Sequence, residues 1–502
     1  MNLMKHPVLP FRWAPSGRFN PAITAIVVLV WLVLMGILLK DRYFPSRIPL
    51  SESVQISATE SDDWFLVRIG GAYSGFGRSR QVRREGGWKL LDELNISLNI
   101  QGQLKPVRIM NESDVDGEFH LERFELKIAS GLISFDVRGR MDGRDLIIET
   151  PGSKGSAQRK LKLYETPRIA RSLGLPVPLT GLKVGDEIKL PIFDPLDGQK
   201  WDAVINVLEK ADIEMNASKV EAWRVRAIFR SMEATLWIDS EGRLIKGRMP
   251  LGITVIRSDK TEIAREMKGL RELPDMVSLT SVPVEGKIPD NPDLQTLRLK
   301  VEGRGDWHIP SDGFRQKFEG SEITITRETI PQATYALPDN DERMKQFLAA
   351  SPFIRSDHPD IIAKAREIVG TQTDPVKAAK LINTWVYTNL KKVPTPAVPD
   401  AHTVLVNLQG DCNEHAILAV ALARAVGLPA RVAVGLVYSG DGFYYHAWVN
   451  YWAGKTWFSG DPLLDELPAS TTHVALLYGD VDKHVNVIGF LGRLTLKVVE
   501  AK

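Results

Sequence analysis

Between residues 50 and 272 the chain repeats with a period of two, and this repeat constrains the fold more than any other feature. In Glu122-Arg123-Phe124-Glu125-Leu126-Lys127-Ile128 and Leu132-Ile133-Ser134-Phe135-Asp136-Val137 polar and apolar residues alternate, which sends them to opposite faces of an extended strand. Turn residues close the runs, as at Met141-Asp142-Gly143-Arg144 and Asp239-Ser240-Glu241-Gly242. Further strands are expected at Ala203 to Leu208, Ala222 to Phe229 and Ala234 to Ile238. The expectation is a large antiparallel sheet, and the recurring D-G and D-x-x-G turns permit a duplicated β unit. Its polar residues fall on the solvated face, so no catalytic constellation is expected there. The sheet either binds an unknown ligand or protein partner, or holds the rest of the chain away from a bilayer.

A bilayer is implied by the N-terminus. Residues 1–20 carry Lys5, Arg12 and Arg18 and no acid, and the run from Ala22 to Leu39 is apolar throughout. Eighteen helical residues span roughly 27 Å, enough for a thin hydrocarbon core. No small-x-small cleavage pattern follows the run, so it reads as an uncleaved anchor at 21–40 rather than a signal peptide. The basic, acid-free tail places the N-terminus in the cytoplasm and the bulk of the chain outside it, with a bacterial periplasm compatible with the cysteine content.

Acids and bases nearly cancel, leaving a formal charge of +2, and no basic run interleaves with aromatics, so nucleic acid is not an expected partner. One cysteine excludes an intramolecular disulfide and a Cys-rich zinc site. The histidines lack H-E-x-x-H spacing, so neither a metal nor another cofactor is expected.

Residues 273–293, punctuated by Pro274, Pro283, Pro289 and Pro292, read as a linker. A small β subdomain is expected over 294–335, from Thr296 to Val301 and Glu322 to Arg327. Helical periodicity begins within a third region, 340–502. There Pro359 to Ile368 forms one helix, and Ala378, Leu381, Ile382 and Trp385 make the apolar face of the next. The single cysteine, Cys412, follows in Gly410-Asp411-Cys412-Asn413-Glu414-His415-Ala416. Asp411 fits an N-cap and Glu414 its reciprocal partner, and the helix runs on to Gly427 with Pro429 beyond. A cysteine in a helix's first turn meets unpaired N–H groups and the positive end of the dipole, which favours thiolate. Two strands then bring His446, in Phe443-Tyr444-Tyr445-His446-Ala447-Trp448-Val449-Asn450, and Asp461, after Trp457-Phe458-Ser459-Gly460. The order Cys, His, Asp allows a triad of Cys412 as nucleophile, His446 as base and then acid, and Asp461 to orient the imidazole. Glu414 reads as a cap and His415 as a residue that either lines the site or fills core. Trp448 reads as sheet core or cleft wall.

The runs G-D-C-N-E-H-A, R-A-V-G-L-P-A-R, Y-H-A-W-V and W-x-x-x-D-P, in this order over residues 355–490, resemble the transglutaminase-like superfamily, which is related to papain-like thiol enzymes. The tail from Thr471 to Leu476 is similar to bacterial, membrane-anchored members. Asn450 departs from the acidic residue that many members carry two positions after the tryptophan. The resemblance implies Cys412, His446 and Asp461 as catalytic residues and an α+β fold in which the Cys helix packs on an antiparallel sheet. The fold expected for the whole chain is therefore α+β: a transmembrane helix, a β-rich domain and a C-terminal transglutaminase-like domain. The expected activity is acyl transfer from an amide of a peptide or protein through a Cys412 thioester. Water as acceptor makes a peptidase or amidase, and an amine makes a transamidase. Arylamine N-acetyltransferases share the residue order, but the R-G-G-x-C pattern is absent. The rival reading is a non-catalytic binding or scaffold module at the membrane.

Overall fold

A computed structural model describes residues 55–502 except 57–58, 131–132, 153–154, 164–165, 170–178, 195–198, 216–217, 230–231, 269–271, 292, 304–307, 352, 394–399, 480–486, 488–489 and 491–492. The 21–40 segment and its basic tail lie outside the described residues. Among the described residues no helix is long and apolar enough to cross a membrane.

The period-two region forms a 15-stranded sheet. Consecutive antiparallel strands lead from Glu187–Asp194 to Ile253–Ser258, and this last strand pairs back onto Ser61–Ile69, with Val255 opposite Val67. From Ser61 a second run of hairpins continues to Gly155–Lys162. Alternation is visible in burial: within Leu121–Ser130, Phe124 and Leu126 are buried while Glu122, Arg123 and Lys127 are exposed. The sheet curls over its apolar face, since the rings of Phe124 and Phe193, ten strands apart in the sheet order, meet at 5.5 Å. Gly139 lies under that contact, because a Cβ there would stand 2.2 Å from the Phe124 ring.

The second sheet has nine strands: β1 (Val282–Glu285), β2 (Thr296–Gly303), β3 (Gln316–Glu319), β4 (Glu322–Thr326), β5 (Ala430–Ser439), β6 (Gly442–Trp452), β7 (Trp457–Gly460), β8 (His473–Tyr478) and β9 (Leu494–Ala501). Their order is β3-β4-β2-β9-β1-β6-β5-β8, with β7 also on β6. Two expectations change here. The stretch read as a linker contributes β1, which pairs with β6 through Val282 and Phe443 and runs parallel to β9 through Val284 and Leu496. Its prolines tolerate this because β1 makes only short pairings on each side. The strands of 294–335 are not a separate body either, since β9 returns from the C-terminus to pair with β2 along its length. One apolar core accordingly runs from Val282 to Leu496 and takes in Leu297, Ile323, Ile382, Leu418 and Val434.

Four helices form a layer with this sheet, α1 (Pro359–Val369), α2 (Pro375–Asn389), α3 (Ala401–Asn407) and α4 (Cys412–Ala425), of which α4 and α2 meet its strands and α1 and α3 pack on α4. Helix α4 is buried on nearly all sides and touches the other three helices as well as β5 and β6. The expected apolar face of α2 is rotated: Ala378, Ala379, Ile382, Asn383 and Val386 are buried, whereas Leu381 is 42% exposed. Contact with α4 decides the face, and a single apolar side chain at the margin of the stripe does not.

Candidate active site

Cys412 owes its position to a gap in strand pairing. On the side of β6 away from β5, β1 covers Gly442 and Phe443 and β7 covers Val449 to Trp452. Neither strand pairs with Tyr444 to Trp448, and the start of α4 meets this stretch, with the Ala447 N–H hydrogen-bonded to the cysteine sulfur. The helix start is tightly built. Asp411 accepts from the Asn413 N–H at 3.0 Å and Glu414 accepts from the Asp411 N–H at 2.9 Å, a reciprocal capping box. Glu414 folds back against residue 410, where a Cβ would lie 2.2 Å from its side chain, so that position takes glycine. At the other end Gly427 adopts a φ of 77°, and the Leu428 N–H returns to the Ala423 carbonyl at 3.0 Å, as helix termination through a left-handed residue requires.

The resting thiol differs from the expectation of a thiolate. Burial pushes the Cys412 thiol well above its ordinary value, and the charges of Asp411, Glu414 and Asp461 push the same way, against the single bond from Ala447. Helix-terminus stabilisation of an anion is modest, and desolvation beside three carboxylates outweighs it.

His446 projects from β6 opposite Gly435 of β5, and Asp461 lies one residue beyond β7. The structure brings these two together, with His446 Nε2 at 2.6 Å from Asp461 Oδ2 and side-chain exposures of 5% and 0%. Asp461 also shapes its own loop, since Oδ1 accepts from the Leu463 and Leu464 N–H groups at 2.8 and 3.1 Å. The turn role and the histidine-facing role are thus held by different oxygens of one carboxylate. Burial disfavours its charge, but the two imidazoles described next outweigh burial and hold it well below the usual carboxylate range.

The second imidazole, His473 at the start of β8, was not anticipated. Its Nε2 lies 3.0 Å from the same Oδ2 and its Nδ1 3.1 Å from Ser470 Oγ, and the residue is fully buried. Glycine explains its approach: a Cβ on Gly435 would stand 1.9 Å from the Val474 carbonyl oxygen, and β8 shifts register against β5 at this point. Arg315, also unanticipated, ties the loop ahead of β8 in place. Its guanidinium donates to Ser459 Oγ at 3.0 Å, to the Ser470 carbonyl at 2.6 Å and to the His473 carbonyl at 3.2 Å, and it pairs with buried Glu328 at 3.1 Å.

The weaker candidates fall elsewhere. His415 is fully buried, with Nδ1 on the Asp411 carbonyl at 2.7 Å. Trp448 is core, stacked beside His446 at 6.2 Å and edge-on to His473 at 5.1 Å. Asn450 is buried on the same face of β6, directly opposite Arg431.

Two groups of described residues gather metal-type donors from distant segments, His358 with Asp360 and His402, and His446 with Asp461 and His473. Sequence spacing showed neither, because each group is completed by a residue from a distant segment. In the second group the carboxylate oxygen already serves both imidazoles. In the first, His402 Nε2 bonds Asp360 at 2.9 Å, the two rings stack at 3.7 Å, and the site sits at the N-termini of α1 and α3, where the dipole disfavours a cation.

Comparison with known proteins matches residues 362–462 to the transglutaminase-like superfamily. The chain carries a transglutaminase-like domain. An uncharacterized protein of Haemophilus influenzae is 33% identical over 103 residues, 18% of this chain. The chain spans about a quarter of that relative's length, the matched part being 26% of it. Among solved structures, the periplasmic domain of TgpA from Pseudomonas aeruginosa, bound to ethylmercury, is 16% identical with a TM-score of 0.23, over 37% of this chain and 94% of that one. A β-barrel-like protein of a domain of unknown function from Brucella abortus is 7% identical with a TM-score of 0.30, over 41% of this chain and all of that one. The matched stretch of the transglutaminase-like domain contains Cys412, His446 and Asp461. Arg315 lies before it in the chain and His473 after it.

Proposed function

We propose that the transglutaminase-like domain is a thiol acyl-transfer enzyme acting on amide bonds of peptides or proteins. The observation that carries this reading is the buried 2.6 Å bond between His446 and Asp461, formed beside a helix-start cysteine whose sulfur meets the residue after His446. The family match supports a thiol-dependent enzyme kind.

An ionised carboxylate only accepts hydrogen bonds, so His446 carries its proton on Nε2 and keeps the lone pair on Nδ1. With the thiol un-ionised at rest, Nδ1 acts as general base: it takes the Cys412 proton as the sulfur attacks the amide carbon. The S–C bond forms, the negative charge passes to the carbonyl oxygen, and the Cys412 backbone N–H at the helix start serves as one donor to it. Collapse breaks the C–N bond, and the imidazolium returns its proton to the leaving amine. A water or a second amine then gives a proton to Nδ1 and attacks the thioester, the S–C bond breaks, and the sulfur regains its proton. Water yields hydrolysis and a lysine-like amine yields transamidation. In this reading the 21–40 anchor keeps the domain at the outer face of a membrane, and the curled β-rich sheet serves as spacer or ligand platform.

The test compares the full chain with Cys412→Ala and His446→Ala for peptide or ammonia release, together with iodoacetamide labelling of Cys412 at neutral pH. Turnover should vanish in both variants, and labelling should slow in His446→Ala. Labelling at the wild-type rate in His446→Ala, with no turnover in any form, sinks the catalytic role in favour of the non-catalytic binding module, which the burial of an un-ionised Cys412 would then favour.

A further inference from the structure

His473 has no role in the reaction just described, yet it is as deeply buried as the groups that do and touches the same atom. The Asp461 carboxylate receives four hydrogen bonds: Oδ1 from the Leu463 and Leu464 N–H groups, and Oδ2 from His446 and His473. Such a carboxylate has no freedom to rotate, because turning it toward either imidazole breaks bonds on the other oxygen. The proton positions follow from this pattern. Both imidazoles donate from Nε2 to an acceptor that cannot donate, and the lone pair left on His473 Nδ1 accepts from the Ser470 hydroxyl at 3.1 Å. A neutral, singly protonated His473 satisfies every one of its bonds, and burial keeps it neutral by lowering its proton affinity.

We propose that His473 is a positioning residue for His446: it holds the Asp461 carboxylate where Oδ2 meets His446 Nε2, and by donating to that same oxygen it takes up part of the charge available to His446. The consequence lies in the proton affinity of the base. A carboxylate shared between two N–H donors stabilises a neighbouring imidazolium less than an unshared one, so removing the His473 donor changes how strongly Asp461 holds a proton on its remaining partner. The charged and titratable groups around this unit are Cys412, Asp411, Glu414 and His415 from the start of α4, Glu466, 3.9 Å from His473 Nδ1, and Arg315, bound to the His473 carbonyl. The positioning depends on the fold on both sides: Gly435 lets β8 approach, and Arg315 fixes the loop ahead of it.

This inference rests on Cys412 and His446 acting together, and the experiment separates the two. The rate of iodoacetamide labelling of Cys412 is followed against pH in the full chain, in His473→Leu and in His473→Gln, whose side-chain amide supplies both an N–H donor for Oδ2 and an acceptor for Ser470. In His473→Leu the rise of rate with pH should move to higher pH, leaving labelling on the order of tenfold slower near pH 6, the factor set by one hydrogen bond to a charged group. His473→Gln should follow the wild-type profile. In an Asp461→Asn background, His473→Leu should cause no further shift, because its effect passes through the carboxylate. A Leu profile identical to wild type, a Gln profile shifted as far as the Leu one, or a shift that persists in the Asp461→Asn background overturns the role. If His473→Leu does not fold, His473→Met, equally unable to donate, takes its place under the same criteria. Wild-type labelling that ignores His446→Ala would instead sink the Cys-His reading itself, a separate failure.

Discussion

His446 Nε2 and Asp461 Oδ2 meet at 2.6 Å, with side-chain exposures of 5% and 0%. A bond of this kind between buried groups has a linked cost in acid. Asp461 is held below the ordinary carboxylate range by His446 and His473 against the opposing effect of burial, and burial holds His473 below the ordinary imidazole value. Both groups bind fewer protons folded than unfolded, so each contributes stability that is present above its unfolded value and lost as pH falls. Unfolding midpoints in denaturant should therefore decline as pH drops through about 6.5, and more steeply below about 4, the values of free imidazole and carboxylate. Asp461→Asn should flatten the lower part of that decline.

The thiol has the opposite sign. Burial raises Cys412 in the folded state, so the folded protein keeps a proton that the unfolded chain releases, and the contribution is lost as pH rises above about 8.5. Cys412→Ser should remove this alkaline loss of stability. A midpoint series from about pH 7 to about pH 10 on both proteins, spanning the free thiol's titration, measures the difference.

Glu414 adds charge next to the thiol while its Oε2 accepts the Asp411 N–H at 2.9 Å. Glu414→Gln keeps an acceptor oxygen and removes the charge, so the thiol should titrate at lower pH and label faster under mildly alkaline conditions, with the melting temperature nearly unchanged. Asp411→Ala, by contrast, should cost about 1 kcal/mol through loss of the cap. Thermal unfolding and labelling kinetics distinguish the two effects.

At Gly435 the absence of a side chain is structural, since a Cβ would stand 1.9 Å from the Val474 carbonyl. Gly435→Ala must push β8 off β5, and a loss on the order of 3 kcal/mol is expected from overpacking in the core. His473 moves with β8, so Cys412 labelling should also come to resemble that of His473→Leu. Denaturant unfolding and the labelling profile, measured on one preparation, check both outcomes.

The pair of Arg315 and Glu328 is buried, with side-chain exposures of 3% and 4%, and Arg315 also donates to the carbonyls of Ser470 and His473. Arg315→Ala leaves a buried carboxylate unpaired and frees the loop before β8, for a cost of about 3–5 kcal/mol. Arg315→Lys should recover little, because one ammonium cannot replace a planar fork that serves several acceptors at once. Unfolding midpoints of the two variants provide the comparison.

Much of the local architecture is legible in residue order, because it arises from contacts a few residues apart. Strand alternation around Phe124 and Leu126 is a period-two pattern, and the capping box of Asp411 and Glu414 acts across three residues. The stop at Gly427 depends on one left-handed residue. The candidate nucleophile, base and acid could likewise be named as Cys412, His446 and Asp461, since each sits at a motif whose chemistry is local.

The tertiary structure decided everything that depends on who is packed against whom. Leu381 turned outward because α4 chose the buried face of α2, and Val282 to Glu285 became a strand because β6 and β9 offered it open edges. The Cys412 thiol stays protonated because burial, the Asp461 carboxylate brought in from beyond β7 and the two carboxylates at its own helix start outweigh one helix terminus. His473 reaches Asp461 only because Gly435 lets a strand from beyond the matched family segment come close. Periodicity and capping are fixed by neighbours in sequence, whereas desolvation and cross-strand contacts are fixed by neighbours in space, and only the folded chain says which those are.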